Sequence, residues 1–223
     1  MGKFSAWSII SKFLAAIVSI LAILFLPAGS LSYWNAWVYT GLVILPTLFV
    51  IAYFLKNDRK LLERRMRFKE KRASQGKFIF FSTILALIGF AIPGFDYRYK
   101  WSPVPAEIAI AASVGVFLGY LLVFFVMREN SNLSRVVEVE KGQKVVATGP
   151  YSIVRHPMYS GVIAMFLLTP LALGSFLALI PFLVIPPVII LRLLDEEKLL
   201  LKTLPGYRQY CRKTKYRLVP GIW

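Results

Sequence analysis

The chain has 223 residues, of which 57% are hydrophobic, and it carries a formal net charge of +16. Its apolar residues fall in blocks long enough to cross a bilayer, which excludes an ordinary soluble domain. A single cysteine, Cys211, allows no intrachain disulfide, and together with a single histidine it leaves no zinc ligand set. The composition therefore predicts an all-α integral membrane protein.

Four apolar blocks come first, separated by short polar segments, and they occupy residues 9–26, 34–55, 78–95 and 106–127. A final apolar region, 162–194, is broken near Leu173-Gly174-Ser175. A span needs about 20 residues, so this region is too long for one helix and predicts a helical hairpin. The chain as a whole is predicted to have about six transmembrane helices.

The basic residues are distributed unevenly between the two sides of these helices. Segment 56–77 has ten Lys/Arg against three Asp/Glu. If both termini face the cytosol, the outer loops hold only Arg98 and Lys100 of the 27 Lys/Arg residues, which is the positive-inside pattern. Topology thus explains the net charge, and we expect no nucleic-acid partner. Segment 56–77 also suits contact with anionic membrane lipids.

These features predict a chain in two parts. Residues 1–127 would hold four transmembrane helices with the basic cytosolic loop 56–77, and residues 128–223 a functional core with the hairpin 162–194 and a cytosolic C-terminal segment. Within the fourth span, Gly115 and Gly119 have the GxxxG spacing that lets helices approach closely.

The polar side chains suited to chemistry converge at one depth, the cytosolic ends of the last three spans. A hairpin returns its second end beside its first, so we expect His156 and Tyr159 to neighbour Arg192 and Glu196. Arg192 and Glu196 are spaced i, i+4 on one helix face, which favours an ion pair. Ionisable groups at a membrane margin tend to be functional. A helix boundary explains a His-Pro pair equally well.

Motifs of several enzyme classes are absent from the sequence. It contains no GxSxG nucleophile elbow, no GxGxxG dinucleotide fingerprint and no GxxxxGK[ST] phosphate loop. A soluble-type serine hydrolase, a Rossmann dehydrogenase and a P-loop NTPase are therefore poor interpretations.

The polar segments contain three short motifs in a fixed order along the chain. The pattern G-P-Y-x-x-V-R-H-P-x-Y-x-G, then R-x-x-x-E-E, then G-Y-x-x-Y resembles the isoprenylcysteine carboxyl methyltransferase family, which is related to the phospholipid N-methyltransferases. The resemblance covers residues 130–223. It implies an integral membrane enzyme that uses S-adenosyl-L-methionine and takes a lipophilic or prenylated substrate from the bilayer.

The resemblance also implies which residues bind the cofactor: Gln143, Lys144, Val145, Val146, Tyr151, His156, Pro157, Met158, Tyr159 and Glu196. Tyr151 would lie beside the adenosyl group, and the turn 156–159 would wrap the methionine portion. Glu196 would hold a polar group of the cofactor, and the family position near Glu138 often adds another polar contact.

Arg192 is the residue that the resemblance places toward the substrate. A carboxylate acceptor is already ionised, so its methylation needs alignment rather than a base. A planar guanidinium holds a carboxylate in two-pronged geometry, so we expect Arg192 to orient the acceptor. An amine acceptor, as in phospholipid methylation, would need Glu196 or Glu197 as a base.

Two other functions remain open on the sequence alone. One is an NADPH-dependent membrane reductase of the steroid or enone type, with Tyr151 or Tyr159 as proton donor. The other is a non-enzymatic membrane protein such as a transporter or scaffold. The first four spans carry no charge at their centres, which argues against a solute path through them.

Overall fold

The computed structural model describes residues 6–65, 73–134, 136, 139 and 142–223. These residues form eight α-helices and one short 3-10 helix at Gly149–Ser152, with no β-strand among them. The α-helices are α1 (Ala6–Ala28), α2 (Trp34–Asn57), α3 (Arg59–Arg65), α4 (Ala73–Tyr99), α5 (Ala106–Glu129), α6 (Pro157–Ala172), α7 (Leu179–Thr203) and α8 (Tyr207–Lys213). The prediction of an all-α protein is confirmed. Residues 173–178 form the turn of the predicted hairpin, between α6 and α7.

Three helices among the described residues are long and apolar enough to cross a membrane, namely α2, the Gly76–Tyr99 part of α4, and α5. The apolar stretches Phe13–Ala28 and Pro157–Ala172 are shorter. Helix α7 has 25 residues, but its C-terminal half carries the charged pattern that starts at Arg192. A membrane protein is therefore supported, and the number of six spans stays a prediction.

The basic segment 56–77 contains ordered helix rather than loop alone. Asp58 accepts a hydrogen bond at Oδ1 from the backbone N–H of Leu61 (3.0 Å), which caps the start of α3. Leu61 and Leu62 are buried against Phe54 and Met127. Apolar burial thus fixes α3 against the ends of α2 and α5, although its sequence is mostly basic. Residues 66–72 lie outside the described part of the chain.

Helices α5 and α6 pack closely because glycines line their contact. A Cβ added at Gly119 would lie 2.5 Å from Cγ of Met165 and 3.3 Å from the carbonyl oxygen of Gly161. On the facing helix, a Cβ at Gly161 would lie 3.2 Å from the carbonyl oxygen of Gly119. The GxxxG spacing of α5 therefore serves packing within the chain.

A buried carboxylate ties the ends of α4 and the α6–α7 turn together. Asp96, 1% exposed, accepts hydrogen bonds from the backbone N–H of Ser102 (2.7 Å), from the Ser102 hydroxyl and from the Ser175 hydroxyl (2.5 Å). Ser102 in turn accepts a hydrogen bond from the backbone N–H of Leu177 (2.8 Å). This network, here called the Asp96 latch, fixes the hairpin against α4 at the end opposite the polar motifs.

Candidate active site

The stretch 149–157 is a short 3-10 helix followed by the start of α6. Gly149 adopts φ +56°, a left-handed conformation that glycine allows without a Cβ clash. His156 has non-helical dihedral angles (φ −127°, ψ 59°), and Pro157 opens α6 at its first position. The predicted helix boundary is therefore present at the same residues as the predicted site.

The C-terminal segment holds this turn in place through backbone contacts. The N–H groups of Arg155 and His156 donate to the carbonyl oxygens of Tyr216 and Arg217, both at 2.9 Å. The Tyr210 hydroxyl donates to the carbonyl oxygen of Tyr151 (2.7 Å). Residues distant in sequence thus fix the positions of the motif side chains.

Glu197 is the charged centre behind the turn. It is 5% exposed, and its Oε1 lies 3.3 Å from both Arg155 Nη1 and His156 Nε2, while its Oε2 accepts from Arg217 Nε at 2.8 Å. Burial alone would raise the pKa of Glu197, but hydrogen bonds with His156 and Arg217 and the charge of Arg155 lower the pKa to about 2. Glu197 is thus a permanent carboxylate that positions two motif residues.

A second hydrogen-bonded chain lies next to this cluster. The Tyr159 hydroxyl donates to Glu196 Oε2 (2.7 Å) and accepts from Arg192 Nε (3.1 Å). The hairpin therefore brings Tyr159 beside Arg192 and Glu196, as the topology predicts. His156 contacts Glu197 instead of Glu196, and its Nε2 also lies 3.4 Å from the Tyr207 hydroxyl.

All eleven residues predicted for the site line one cavity of about 580 Å³. They come from the extended segment before the 3-10 helix, from the turn, and from α6 and α7: Gln143, Lys144, Val145, Val146, Tyr151, His156, Pro157, Met158, Tyr159, Arg192 and Glu196. The structure thus brings the predicted side chains together, while their individual roles stay predictions. Glu138 lies outside the described residues.

The cavity has further walls that the sequence interpretation missed. Helix α4 contributes one face, with Phe78, Ile79, Ser82, Thr83, Ala86, Leu87 and Phe90. Tyr207 and Tyr210 also line the cavity; they are the two tyrosines of the G-Y-x-x-Y pattern. The spacing of four between Phe78, Ser82, Ala86 and Phe90 marks one helix face. Ser82 and the adjacent Thr83 are the only polar residues within 78–95, and they are the one sequence signal for this wall.

Charge is concentrated at the motif end of the cavity. Four cationic side chains line it, those of Arg65, Lys144, Arg155 and Arg192, against the carboxylate of Glu196. Arg155 Nε is buried and has no hydrogen-bond partner among the described residues. A buried donor without a partner is unfavourable by about 1–3 kcal/mol, so an acceptor on a bound anionic ligand would satisfy it.

Comparison with known families agrees with the resemblance found in the sequence. Residues 108–205 match the family model described as phospholipid methyltransferase, the family of the isoprenylcysteine and phospholipid methyltransferases. The matched region contains all eleven predicted site residues and runs from α5 to the end of α7, whereas α4 lies outside it. The match agrees with the predicted resemblance over these residues and supports a membrane methyltransferase. No curated protein matches the chain.

Proposed function

We propose that this chain, whose residues 108–205 match the phospholipid methyltransferase family, uses S-adenosylmethionine to methylate the carboxylate of a lipophilic molecule. One observation carries the proposal: a single cavity joins the charged motif residues to an apolar half between α4, α6 and α7. A ligand with a polar reacting group and an apolar tail matches that division.

The residues present fit the proposed cofactor. Glu196 suits the ammonium group of its methionine portion, and the unpartnered Nε of Arg155 suits an anionic oxygen. We assign the adenosyl portion to the segment 143–146 and Tyr151. When bound, S-adenosylmethionine supplies a methyl group whose bond to sulfur breaks as the acceptor oxygen bonds to its carbon.

Arg192 is the residue to which we assign the acceptor carboxylate. Its Nε donates to Tyr159, which in turn donates to Glu196, so the Nε edge of the guanidinium is held by a hydroxyl that is itself fixed. Fixed donors lower the entropy lost on aligning the acceptor. A carboxylate has no proton to lose, so no base is required.

A phospholipid amine is the second candidate acceptor, favoured by the description of the matched family. An amine must lose a proton, and a carboxylate with a pKa near neutral would accept it best. Glu197, with its pKa of about 2 and three cationic or imidazole partners, is a poor base. Glu196 would then have to take the proton.

The two acceptors can be separated with purified protein in lipid nanodiscs and S-adenosylmethionine labelled on its methyl group. We expect label in N-acetyl-S-farnesylcysteine and none in phosphatidylethanolamine. Arg192→Lys should lower the rate about 100-fold with unchanged cofactor affinity, because lysine lacks the planar fork. Lys198→Gln, on an exposed position of the same helix, is the matched control and should leave the rate unchanged.

Label in phosphatidylethanolamine, lost in Glu196→Gln even at saturating S-adenosylmethionine and kept in Arg192→Lys, would replace the carboxylate proposal with the amine alternative. Absence of label in both N-acetyl-S-farnesylcysteine and phosphatidylethanolamine would contradict both acceptor assignments. In the reductase alternative Tyr151 or Tyr159 would donate a proton. Burial raises the pKa of Tyr151, which weakens it as an acid, and the Tyr159 hydroxyl already donates to Glu196.

A further inference from the structure

The apolar half of the cavity runs along three helices away from the charged residues. Its walls are Ala86 and Phe90 on α4, Val162 and Phe166 on α6, and Ile185 and Ile189 on α7. Along α7, Ile185 lies about two turns before Arg192, a distance of about 10 Å. An apolar tail attached to a group at Arg192 would follow this path.

Three phenylalanines close the far end of the path. Phe182, 0% exposed, lies almost one turn beyond Ile185 on α7 and is not itself a wall of the cavity. Its ring packs edge-to-face on Phe90 (centroids 5.4 Å apart, planes at 87°) and lies 5.9 Å from the ring of Phe166. Phe90, Phe166 and Phe182 together form what we call the aromatic floor.

Gly89 lets the floor close against α4. A Cβ added at Gly89 would lie 2.7 Å from Cε2 of Phe182 and 3.0 Å from its Cδ2. Only a residue without a side chain lets the ring pack directly on the α4 backbone. The ring of Phe182 therefore packs against the α4 backbone beyond Phe90 and Phe166, which are among the lining residues of the cavity.

We propose that the aromatic floor limits the length of the apolar tail that the methyl acceptor carries. The inference rests on the proposed function, because the position of the reacting group at Arg192 defines where the tail begins. A tail too long for the space between Arg192 and the aromatic floor must displace closely packed rings, or its polar group must move away from Arg192. Close-packed interiors resist the displacement of side chains. Gly89 and Phe90 lie outside residues 108–205, so the family match does not determine this selection.

The test is methyl transfer to N-acetyl-S-alkylcysteines with tails from hexyl to eicosyl, with the full chain in nanodiscs. We expect the wild-type rate to rise with tail length and then to fall. Phe182→Ala should move the preferred length upward by about four carbons, because a ring spans about 5 Å and each C–C bond of about 1.5 Å advances an extended chain by about 1.25 Å. Phe182→Leu should give a smaller shift in the same direction.

Phe25→Ala is the matched control, since Phe25 is a buried aromatic on α1 that does not line the cavity. It should leave the length profile unchanged. Identical profiles for wild type, Phe182→Ala and Phe182→Leu, with cofactor binding and turnover retained, would overturn the floor while leaving the proposed function intact.

A second readout needs no turnover. A photoreactive diazirine at the tail end of the same acceptors should label Phe90, Phe166 or Ile185 in the wild-type protein, as mapped by mass spectrometry. Labelling confined to outward-facing side chains such as Leu118 and Val184 would overturn the floor. Labelling of the floor without methyl transfer to any acceptor would overturn the proposed function. The aromatic floor would then still limit the tail length of some other amphipathic ligand.

Discussion

Glu196 and Glu197 are adjacent in the chain, yet they contact different parts of the site. Successive residues of an α-helix point about 100° apart, so only one of the two faces the cavity. Glu196 lines the cavity and accepts from Tyr159, whereas Glu197 is buried among Arg155, His156 and Arg217. Glu196 therefore faces the cavity, and its neighbour Glu197 holds the turn that forms one wall of that cavity.

The Glu197 cluster predicts a specific loss of stability in acid. The pKa of Glu197 is lowered from 4.5 to about 2, so the folded state favours the carboxylate more than the unfolded state does. The stabilisation is fully present above pH 4.5 and is lost as the pH falls toward 2. Thermal denaturation in detergent, followed by intrinsic fluorescence across that range, should show a falling midpoint.

Glu197→Gln supplies the control for this acid sensitivity. Removing the charge leaves two guanidinium groups without their shared partner, which should cost about 3–5 kcal/mol of stability at neutral pH. In this variant the decline between pH 4.5 and 2 should be markedly shallower than in wild type or in Lys198→Gln. An unchanged slope would show that other groups cause the acid loss.

At the scale of the helices, the Asp96 latch is expected to support stability without entering the chemistry. Asp96→Ala would leave the Ser102 N–H and the Ser175 hydroxyl without their buried acceptor, a loss of about 2–4 kcal/mol. We expect a lower denaturation midpoint with unchanged cofactor affinity. Glu107→Ala, at an exposed position of α5, is the matched control. A loss of cofactor affinity equal to that of a cavity variant would contradict a purely structural role.

Helices differ in how far their contribution to the site could be predicted. The walls from the turn, α6 and α7 follow from the sequence, because the polar motifs stand at hairpin ends that the chain must bring together. The wall from α4 could not be predicted, since its only polar residues within 78–95, Ser82 and Thr83, carry hydroxyls that an apolar helix can also satisfy with its own backbone, as Thr83 does with the carbonyl oxygen of Ile79. The tie of Tyr216 and Arg217 to the turn is made by backbone atoms, so no side-chain pattern signals it.

At the scale of the whole molecule, one end of the helix bundle is structural and the opposite end holds the candidate site. One end is held by the Asp96 latch, and the other carries the charged cavity and most of the Lys and Arg residues that the structure describes. The unequal distribution of Lys and Arg predicts that the cavity end faces the cytosol, where a polar cofactor would reach it. The partner of His156, by contrast, depends on the rotation of α7, which sequence spacing alone does not determine.

Cofactor binding tests the central claim most directly. Calorimetric titration of the purified protein with S-adenosylmethionine, and separately with NADPH, should give binding of the first and none of the second. Glu196→Gln should weaken that binding about tenfold or more, as loss of a charged hydrogen-bond partner does, while Lys198→Gln should leave it unchanged. Absence of S-adenosylmethionine binding to wild type, or equal affinity in Glu196→Gln, would contradict the assignment of this cavity to methyl transfer.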